Sequence, residues 1–185
     1  MKVFLNPGHD LEHDSGACSA GGLRECDVAA DIGGLVQKYL EAAGCEVRAW
    51  QSDNLNWDSD YEDRQDCSVC DCANNWPADM FVSLHCNAAN GNAQGTETLV
   101  YELGSASADL AECIQHQIVD SCGTVDRGLK ERPDLIVLKH TNMAAVLVEM
   151  AFIDNTEDEQ KLTFGADDMA KAIARGITDY ENMKG

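Results

Sequence analysis

The sequence contains no long hydrophobic run and few basic residues. No stretch approaches the ~18 consecutive apolar residues of a membrane-spanning helix, so we predict no membrane insertion. Only 13 lysines and arginines stand against 33 acidic residues, giving a formal net charge of -20. Because such a surface repels phosphate groups, we predict no nucleic-acid binding. The acidic residues are spread along the chain, as on an ordinary hydrated surface.

The N-terminus also lacks the pattern of a secretory leader, since only three apolar residues separate Lys2 from the turn that follows. We therefore predict synthesis in the cytoplasm without a signal peptide. No repeat, linker or low-complexity segment divides the 185 residues, and this length suits one domain covering 1–185. The nine cysteines are odd in number and a core of this size needs no disulfide framework, so mostly reduced thiols are expected.

Apolar runs and helically spaced apolar residues alternate along the chain. Strands are predicted at "KVFL", "EVRAW", "MFVSL", "TETLVY", "LIVL" and "AAVLVEM". Helical spacing is found around 28–40, 110–118 and 169–177, and a further helix is predicted to end near "ANNWPAD". The runs "MFVSL" and "AAVLV" are apolar throughout, which is typical of strands covered on both faces. The pattern therefore predicts one α/β domain with a mostly parallel sheet flanked by helices.

Four ionisable side chains are predicted to meet at one edge of this sheet. His9, His85 and Glu149 each come at or just after the end of a predicted strand, where α/β proteins bind ligands. Glu25 lies in the first turn of the helix after the first strand, and a right-handed crossover starts that helix at the same edge. The tight turn at Pro7 and Gly8 places His9 on the rim of the sheet.

Two histidines and one carboxylate form a recognised ligand set for catalytic zinc, which keeps its fourth position for water and lowers the pKa of that water to ~7. Glu25 at a helix N-terminus would stay ionised, as a ligand must. Glu149 interrupts an apolar run, where a charge is costly unless it is paired or used in acid/base chemistry. Taken singly, His9 and His85 would be ordinary histidines at the edge of the sheet, Glu25 a carboxylate at the start of a helix, and Glu149 a member of an ion pair. Only their joint arrangement indicates a metal site.

Several motifs in a fixed order carry a resemblance to a known family. "NPGHD", "DSGA", "LRECDVA", "ADMFVSLHCNAA", "RGLK" and "AVLVEMAFIDN" together resemble the zinc-dependent N-acetylmuramoyl-L-alanine amidases of the third amidase class. The resemblance implies a six-stranded, zinc-dependent phosphorylase/hydrolase-like fold and hydrolysis of the amide between the lactyl group of N-acetylmuramic acid and L-alanine in peptidoglycan. It implies zinc as the cofactor, His9, Glu25 and His85 as its ligands, and Glu149 as the catalytic general acid/base.

The resemblance also assigns two weaker positions. Asn87 and Arg127 match family residues near the substrate groove, although Asn87 also suits a turn and Arg127 an ordinary surface. The chain departs from the family at Pro7, where a small residue is usual, and in a longer spacing after Arg64. It also has an extra histidine, His13, which is not expected to replace a ligand because a matched set of three already exists. The segment after His85 is too short for the inhibitory helix of some cell-division members, so an open groove is expected.

Other functions stay open at this stage. One is a zinc peptidase or amidohydrolase acting on a different amide, and another is a muropeptide-binding domain without catalysis. "CSVCDC", with Cys67, Cys70 and Cys72, offers a second metal site, although small core-facing thiols on one helix face are the more ordinary reading. The chain fits either a phage endolysin or a catalytic domain from a longer exported protein. A separate wall-binding module is expected, since so acidic a surface is poorly suited to an anionic cell wall.

Overall fold

The computed structural model of the protein describes residues 1–56 and 67–184, and its strands and helices alternate as the sequence predicts. The strands are β1 (Lys2–Pro7), β2 (Glu46–Ala49), β3 (Met80–Asn87), β4 (Thr96–Val100), β5 (Asp126–Glu131) and β6 (Ala144–Phe152). The helices are α1 (Glu25–Ala42), α2 (Val69–Asn75), α3 (Ala106–Cys122), α4 (Ile136–Lys139), α5 (Thr156–Thr163) and α6 (Ala166–Lys184).

The six strands form one sheet in the order β2-β1-β3-β6-β4-β5. Four of the five neighbouring pairs are parallel, and the pair of β4 with β6 is antiparallel. The predicted fold class, an α/β domain with a mostly parallel six-stranded sheet, is therefore confirmed. The carboxyl ends of β1, β3 and β6, which are adjacent in the sheet, share one edge with the start of α1.

Both faces of the sheet are covered, which explains why its central strands are apolar throughout. On one face Val3 and Leu5 of β1 join a core cluster with residues of α1, α3 and α6. On the other face Phe4 stacks on Phe81 of β3, with ring centroids 5.8 Å apart, in a smaller cluster that includes residues of α2 and α4. Rigid packing on both faces fixes the strand ends that carry the candidate site.

The prediction for the fifth strand is wrong. "LIVL" is not a strand, because Ile136–Lys139 form the single helical turn α4, in which Val137 and Leu138 are buried and Ile136 is exposed. A short apolar run fits either structure, and its length alone does not decide between them. The strand that completes the sheet is instead β5, whose sequence "DRGLKE" is largely exposed at the edge of the sheet. An edge strand lacks the apolar pattern that marks a central one.

The helix predicted to end near "ANNWPAD" is α2, with Ser68 as its N-cap accepting a hydrogen bond from the backbone N–H of Asp71. The expectation that Cys67 and Cys70 share a face of this helix is wrong, since α2 begins at Val69 and Cys67 precedes it. The polar segment before α2 and the long spacing after Arg64 both include residues of 57–66, which lie outside the described residues, so neither is described in full. Within the described ranges, no helix combines the length and apolarity needed to cross a membrane.

Candidate metal centre

The first histidine is presented by a tight turn at the end of β1. The backbone N–H of Gly8 donates to the carbonyl of Leu84 at 2.8 Å, which extends the pairing of β1 with β3 by one residue. His9 then takes a φ of 65°, the single positive φ of a non-glycine residue in the described part of the chain. Such a conformation costs of order 1–3 kcal/mol and is concentrated at functional sites. The abrupt end of β1 thus serves to turn the imidazole of His9 inward.

Glu25 is fixed by backbone donors from both sides. It is the first residue of α1, and its side chain is almost fully buried, with 3% of the residue exposed. The N–H of Ala17 donates to Oε2 at 2.8 Å, and the N–H of Cys86 donates to Oε1 at 2.9 Å. These two hydrogen bonds stabilise the ionised form and fix the direction in which the carboxylate points.

His9, Glu25 and His85 form a compact group. Oε1 of Glu25 lies 3.1 Å from Nε2 of His9 and 3.0 Å from Nδ1 of His85, and the two imidazole rings meet edge-on with centroids 4.9 Å apart. One donor atom from each residue lies within 4.8 Å of the other two, and among the described residues no other His, Cys, Asp or Glu cluster meets this condition. Two imidazoles and one carboxylate fit zinc, with a fourth position left for water or substrate.

Two glycines make room for this group. A Cβ on Gly8 would lie 2.3 Å from the ring of His85. A Cβ on Gly16, whose φ is +62°, would lie 2.5 Å from Cδ2 of His9 and 2.6 Å from Oε2 of Glu25. Because ordinary carbon contacts are about 3.5–4.0 Å, neither position accepts a larger residue without moving the donors. The backbone is therefore shaped closely around the three side chains.

Asp14 is a residue of this centre whose role the sequence analysis did not assign. Its Oδ2 lies 2.7 Å from Nδ1 of His9, and its Oδ1 accepts a hydrogen bond from the N–H of Gly16 at 3.0 Å. A carboxylate on the outer nitrogen of a metal-ligating histidine fixes both the tautomer and the ring orientation. Asp14 thereby directs Nε2 of His9 toward Glu25. The acidic residues next to His9 were visible in the sequence, but their contacts were not.

The charges of the group are strongly coupled. Burial alone would raise the pKa of Glu25, but hydrogen bonds from His85 and His9 outweigh it and hold this pKa far below its usual range. Burial would likewise lower the pKa of His9, but hydrogen bonds to Glu25 and Asp14 outweigh it and raise this pKa from 6.5 to about 9. Glu25 thus stays ionised, as a metal ligand must, whereas His9 holds a proton near neutral pH that a bound cation would displace.

Glu149 lies next to this group on the neighbouring strand. It is directly opposite His85 in the parallel pairing of β3 with β6, so both side chains leave the same face of the sheet. Its Oε2 is buried and has no hydrogen-bond partner among the described residues. Burial, followed by the nearby charges of Glu25 and Glu97, raises the pKa of Glu149 from 4.5 to about 8. The carboxyl group is therefore able to hold or release a proton near neutral pH.

Asn87 and Arg127 meet through a residue that the sequence analysis missed. Asn87 is the last residue of β3, and its Nδ2 donates to Oε1 of Glu97 at 2.8 Å. Arg127 in β5 donates from Nε to Oε2 of the same Glu97 at 3.0 Å. Glu97 lies in the predicted strand "TETLVY", and no spacing in the sequence connects it with either partner. Arg127 is thus not an isolated surface residue.

The remaining candidates lie apart from the centre. His13 does not belong to the donor group; its Nε2 is 3.8 Å from a carboxylate oxygen of Glu12, and both side chains are exposed. Cys70 is buried, whereas Cys67 and Cys72 are half-buried, and Sγ of Cys72 contacts the carbonyl of Cys67 at 3.5 Å. These cysteines form no metal-binding group with other described residues.

A mostly parallel α/β sheet with a His-Glu-His group and a buried carboxylate at one edge is typical of metal-dependent hydrolases. Comparison with known proteins narrows this class. The model of the N-acetylmuramoyl-L-alanine amidase family matches residues 3–179. The chain therefore belongs to the N-acetylmuramoyl-L-alanine amidases, and the function predicted from its motifs, hydrolysis of this amide in peptidoglycan, is confirmed at the level of the family.

Individual relatives agree with this assignment. The chain is 37% identical to the uncharacterized protein YqiI of Bacillus subtilis, covering 96% of this chain and 84% of that protein. It is 34% identical to the N-acetylmuramoyl-L-alanine amidase LytC of B. subtilis, covering 96% of this chain but 35% of LytC. It is 36% identical to the endolysin of Bacillus phage SPP1, covering 98% of this chain and 66% of the endolysin.

A solved structure supports the fold. The N-acetylmuramoyl-L-alanine amidase AmiC2 of Nostoc punctiforme superposes with a TM-score of 0.84 at 29% identity, covering 98% of this chain and 97% of that one. The similarity thus extends over the whole sheet and its helices. By contrast, the chain spans little more than a third of LytC, so longer relatives contain further segments beside the region shared with this chain.

Proposed function

We propose that this chain is a zinc-dependent amidase that cleaves the bond between the lactyl carbonyl of N-acetylmuramic acid and the nitrogen of L-alanine in peptidoglycan. In this proposal His9, Glu25 and His85 hold the zinc ion, and Glu149 is the general acid/base. The observation that carries it is the buried, unpartnered Oε2 of Glu149 beside a three-donor group. A buried carboxyl oxygen without a hydrogen-bond partner is costly, and such a group is retained where it acts on a substrate.

Zinc, when bound, supplies a Lewis acid for the scissile carbonyl and lowers the pKa of water to about 7. Glu149 accepts a proton from the attacking water at Oε2 and returns it to the departing alanine nitrogen, so that the amide and water become a carboxylic acid and an amine. In the metal-free chain burial raises its pKa to about 8, near the ambient pH at which an acid/base works best, and a bound cation would lower this pKa toward the ionised form that accepts the proton. Asp14 keeps Nε2 of His9 directed at the centre.

The reaction is tested by digesting purified peptidoglycan. The proposal predicts new N-terminal alanine without new reducing sugar, whereas free amines at other positions would favour a peptidase or amidohydrolase with a different substrate. Glu149→Gln is expected to reduce turnover by at least about 100-fold while the zinc content stays that of the wild type. Glu131→Gln, a charge-neutralising change at the exposed end of β5, is the matched control.

Retained turnover in Glu149→Gln would remove the proposed role of Glu149. A wild-type protein that binds muropeptide but exposes no new N-terminal alanine would favour the non-catalytic alternative. Both outcomes are read from one set of digests, because new N-terminal alanine and muropeptide retention are measured on the same samples.

We also propose that residues 1–185 act as one catalytic domain and that a separate module delivers it to the cell wall. Two observations support this: the chain covers only 35% of LytC and 66% of the SPP1 endolysin, and its net charge of -20 opposes adsorption to an anionic wall. Sedimentation with purified walls is the test. The chain alone is expected to remain largely in the supernatant at low salt and to bind better as salt screens the repulsion.

A further inference from the structure

Glu97 joins two polar side chains that lie near the candidate centre. It belongs to β4, and its side chain is 14% exposed. Each carboxylate oxygen has its own partner: Oε1 accepts from Nδ2 of Asn87 at 2.8 Å, and Oε2 accepts from Nε of Arg127 at 3.0 Å. Hydrogen bonds that involve charged groups are the stronger ones, so Glu97 fixes the orientation of both partners.

The guanidinium of Arg127 is held on several sides. Its carbon lies 4.9 Å from the ring centroid of Phe152, and Nη1 donates to the carbonyl of Gln94 at 3.4 Å. Together with the Nε contact to Glu97, these interactions fix the plane of the group. In the described part of the chain Nη2 has no hydrogen-bond partner. An immobilised guanidinium with a free donor edge suits a carboxylate or carbonyl oxygen of a ligand.

This network begins one strand away from Glu149. Glu97 is directly opposite Glu149 in the antiparallel pairing of β4 with β6, and Asn87 comes two residues after His85. A carboxylate directly opposite Glu149 makes the ionisation of Glu149 unfavourable, because two like charges facing each other destabilise a sheet. A partly exposed ion pair such as that of Glu97 with Arg127 contributes only about 0–1 kcal/mol to stability. Folding stability therefore does not account for a second carboxylate at this place.

We propose that Glu97 is a positioning residue for substrate binding, which holds Asn87 and Arg127 in the orientation that contacts the substrate beside the scissile amide. The inference rests on the proposed amidase function and deepens it. Glu97 itself does not touch the reacting atoms. Its effect passes through its two partners, so its removal should weaken substrate binding more than the chemical step.

The test compares Glu97→Ala, Glu97→Gln and Arg127→Ala on a soluble muropeptide, with zinc content and thermal unfolding recorded for each. Glu97→Ala is expected to raise KM about 10-fold or more, as for loss of a charge-assisted hydrogen bond, with a smaller change in kcat. Glu97→Gln keeps an acceptor for Asn87 and should recover part of the loss. Glu102→Gln, which changes an exposed carboxylate in the turn after β4, is the control and should match the wild type.

A double-mutant cycle separates positioning from a general structural effect. If Glu97 acts through its two partners, Glu97→Ala should change KM by less than about threefold when Asn87 and Arg127 are both already alanine. Full additivity of Glu97→Ala with this pair of changes would overturn the proposal, as would a loss confined to kcat or a loss of zinc in Glu97→Ala.

The outcome remains separable from the proposed function. If the wild type exposes no new N-terminal alanine, the amidase proposal fails, and Glu97 is judged on the dissociation constant of the muropeptide instead. A constant that is unchanged in Glu97→Ala would then overturn the positioning role, and a constant raised as in Arg127→Ala would support it.

Discussion

Replacing Gly16 with alanine is expected to weaken zinc binding without unfolding the protein. Gly16 has a φ of +62°, and its missing side chain leaves the space that His9 and Glu25 occupy. Gly22 provides a matched control, since its φ is +85° but a Cβ there would meet nothing within 4 Å. Both changes impose left-handed backbone strain on alanine, whereas only the first crowds the proposed ligands.

The two contributions differ in size and in what they affect. Left-handed backbone strain costs roughly 1–2 kcal/mol of stability for a residue with a Cβ, and this applies to both variants. A Cβ at Gly16 would lie 2.5 Å from Cδ2 of His9, about 1 Å inside ordinary contact distance. Metal–ligand distances tolerate only about ±0.2 Å, so the displaced donors should bind zinc at least about 100-fold more weakly.

Zinc affinity is measured by competition with a chelator, and stability by urea unfolding of the metal-free proteins. We expect Gly16→Ala to lose more stability than Gly22→Ala, because its Cβ also crowds His9 and Glu25, and we expect a loss of zinc affinity in Gly16→Ala alone. Wild-type zinc affinity in a folded Gly16→Ala protein would refute the reasoning, and so would an equal loss of affinity in Gly22→Ala.

Three further predictions concern single side chains. Asp14→Asn should weaken zinc binding about 10- to 100-fold in the chelator competition, whereas Glu12→Gln in the same loop should not. Burial raises the pKa of the Cys70 thiol to about 12, so a thiol reagent near pH 8 should modify exposed Cys18 but reach Cys70 only after unfolding, as read by peptide mapping. In metal-free protein the pKa of Glu149 is raised from 4.5 to about 8, so between these values the folded chain keeps a proton that the unfolded chain loses. As the pH rises through this range, the unfolding free energy of the wild type should therefore fall by about 1.4 kcal/mol per pH unit relative to that of Glu149→Gln. Equal slopes of the two proteins in urea titrations at several pH values would contradict this.

The sequence predicted the parts of the fold that depend on burial on both faces of the sheet. The central strands β1, β3 and β6 carry continuous apolar runs, and the residues that end them were recognised because a polar side chain follows or interrupts each run. Edge strand β5 was missed because its exposed residues show no such pattern. The short apolar run in α4 was assigned to a strand because so few residues do not distinguish the helical period from the strand period.

The outer part of the site was not predictable in this way. Asp14 and Glu97 act through side-chain contacts, and nothing in the spacing of Asn87, Glu97 and Arg127 indicates that they meet. Their convergence depends on the order of strands in the sheet and on the antiparallel direction of β4. The inner residues were predictable because strand ends share one edge, whereas the outer ones require the register of each strand pair.

The zinc content of the purified protein tests the central claim most directly. The account predicts about one zinc ion per chain in the wild type and in His116→Ala, which removes an exposed histidine on α3, but little or none in His85→Ala. A wild-type chain that takes up no zinc, or a folded His85→Ala protein that retains the full amount, would contradict it.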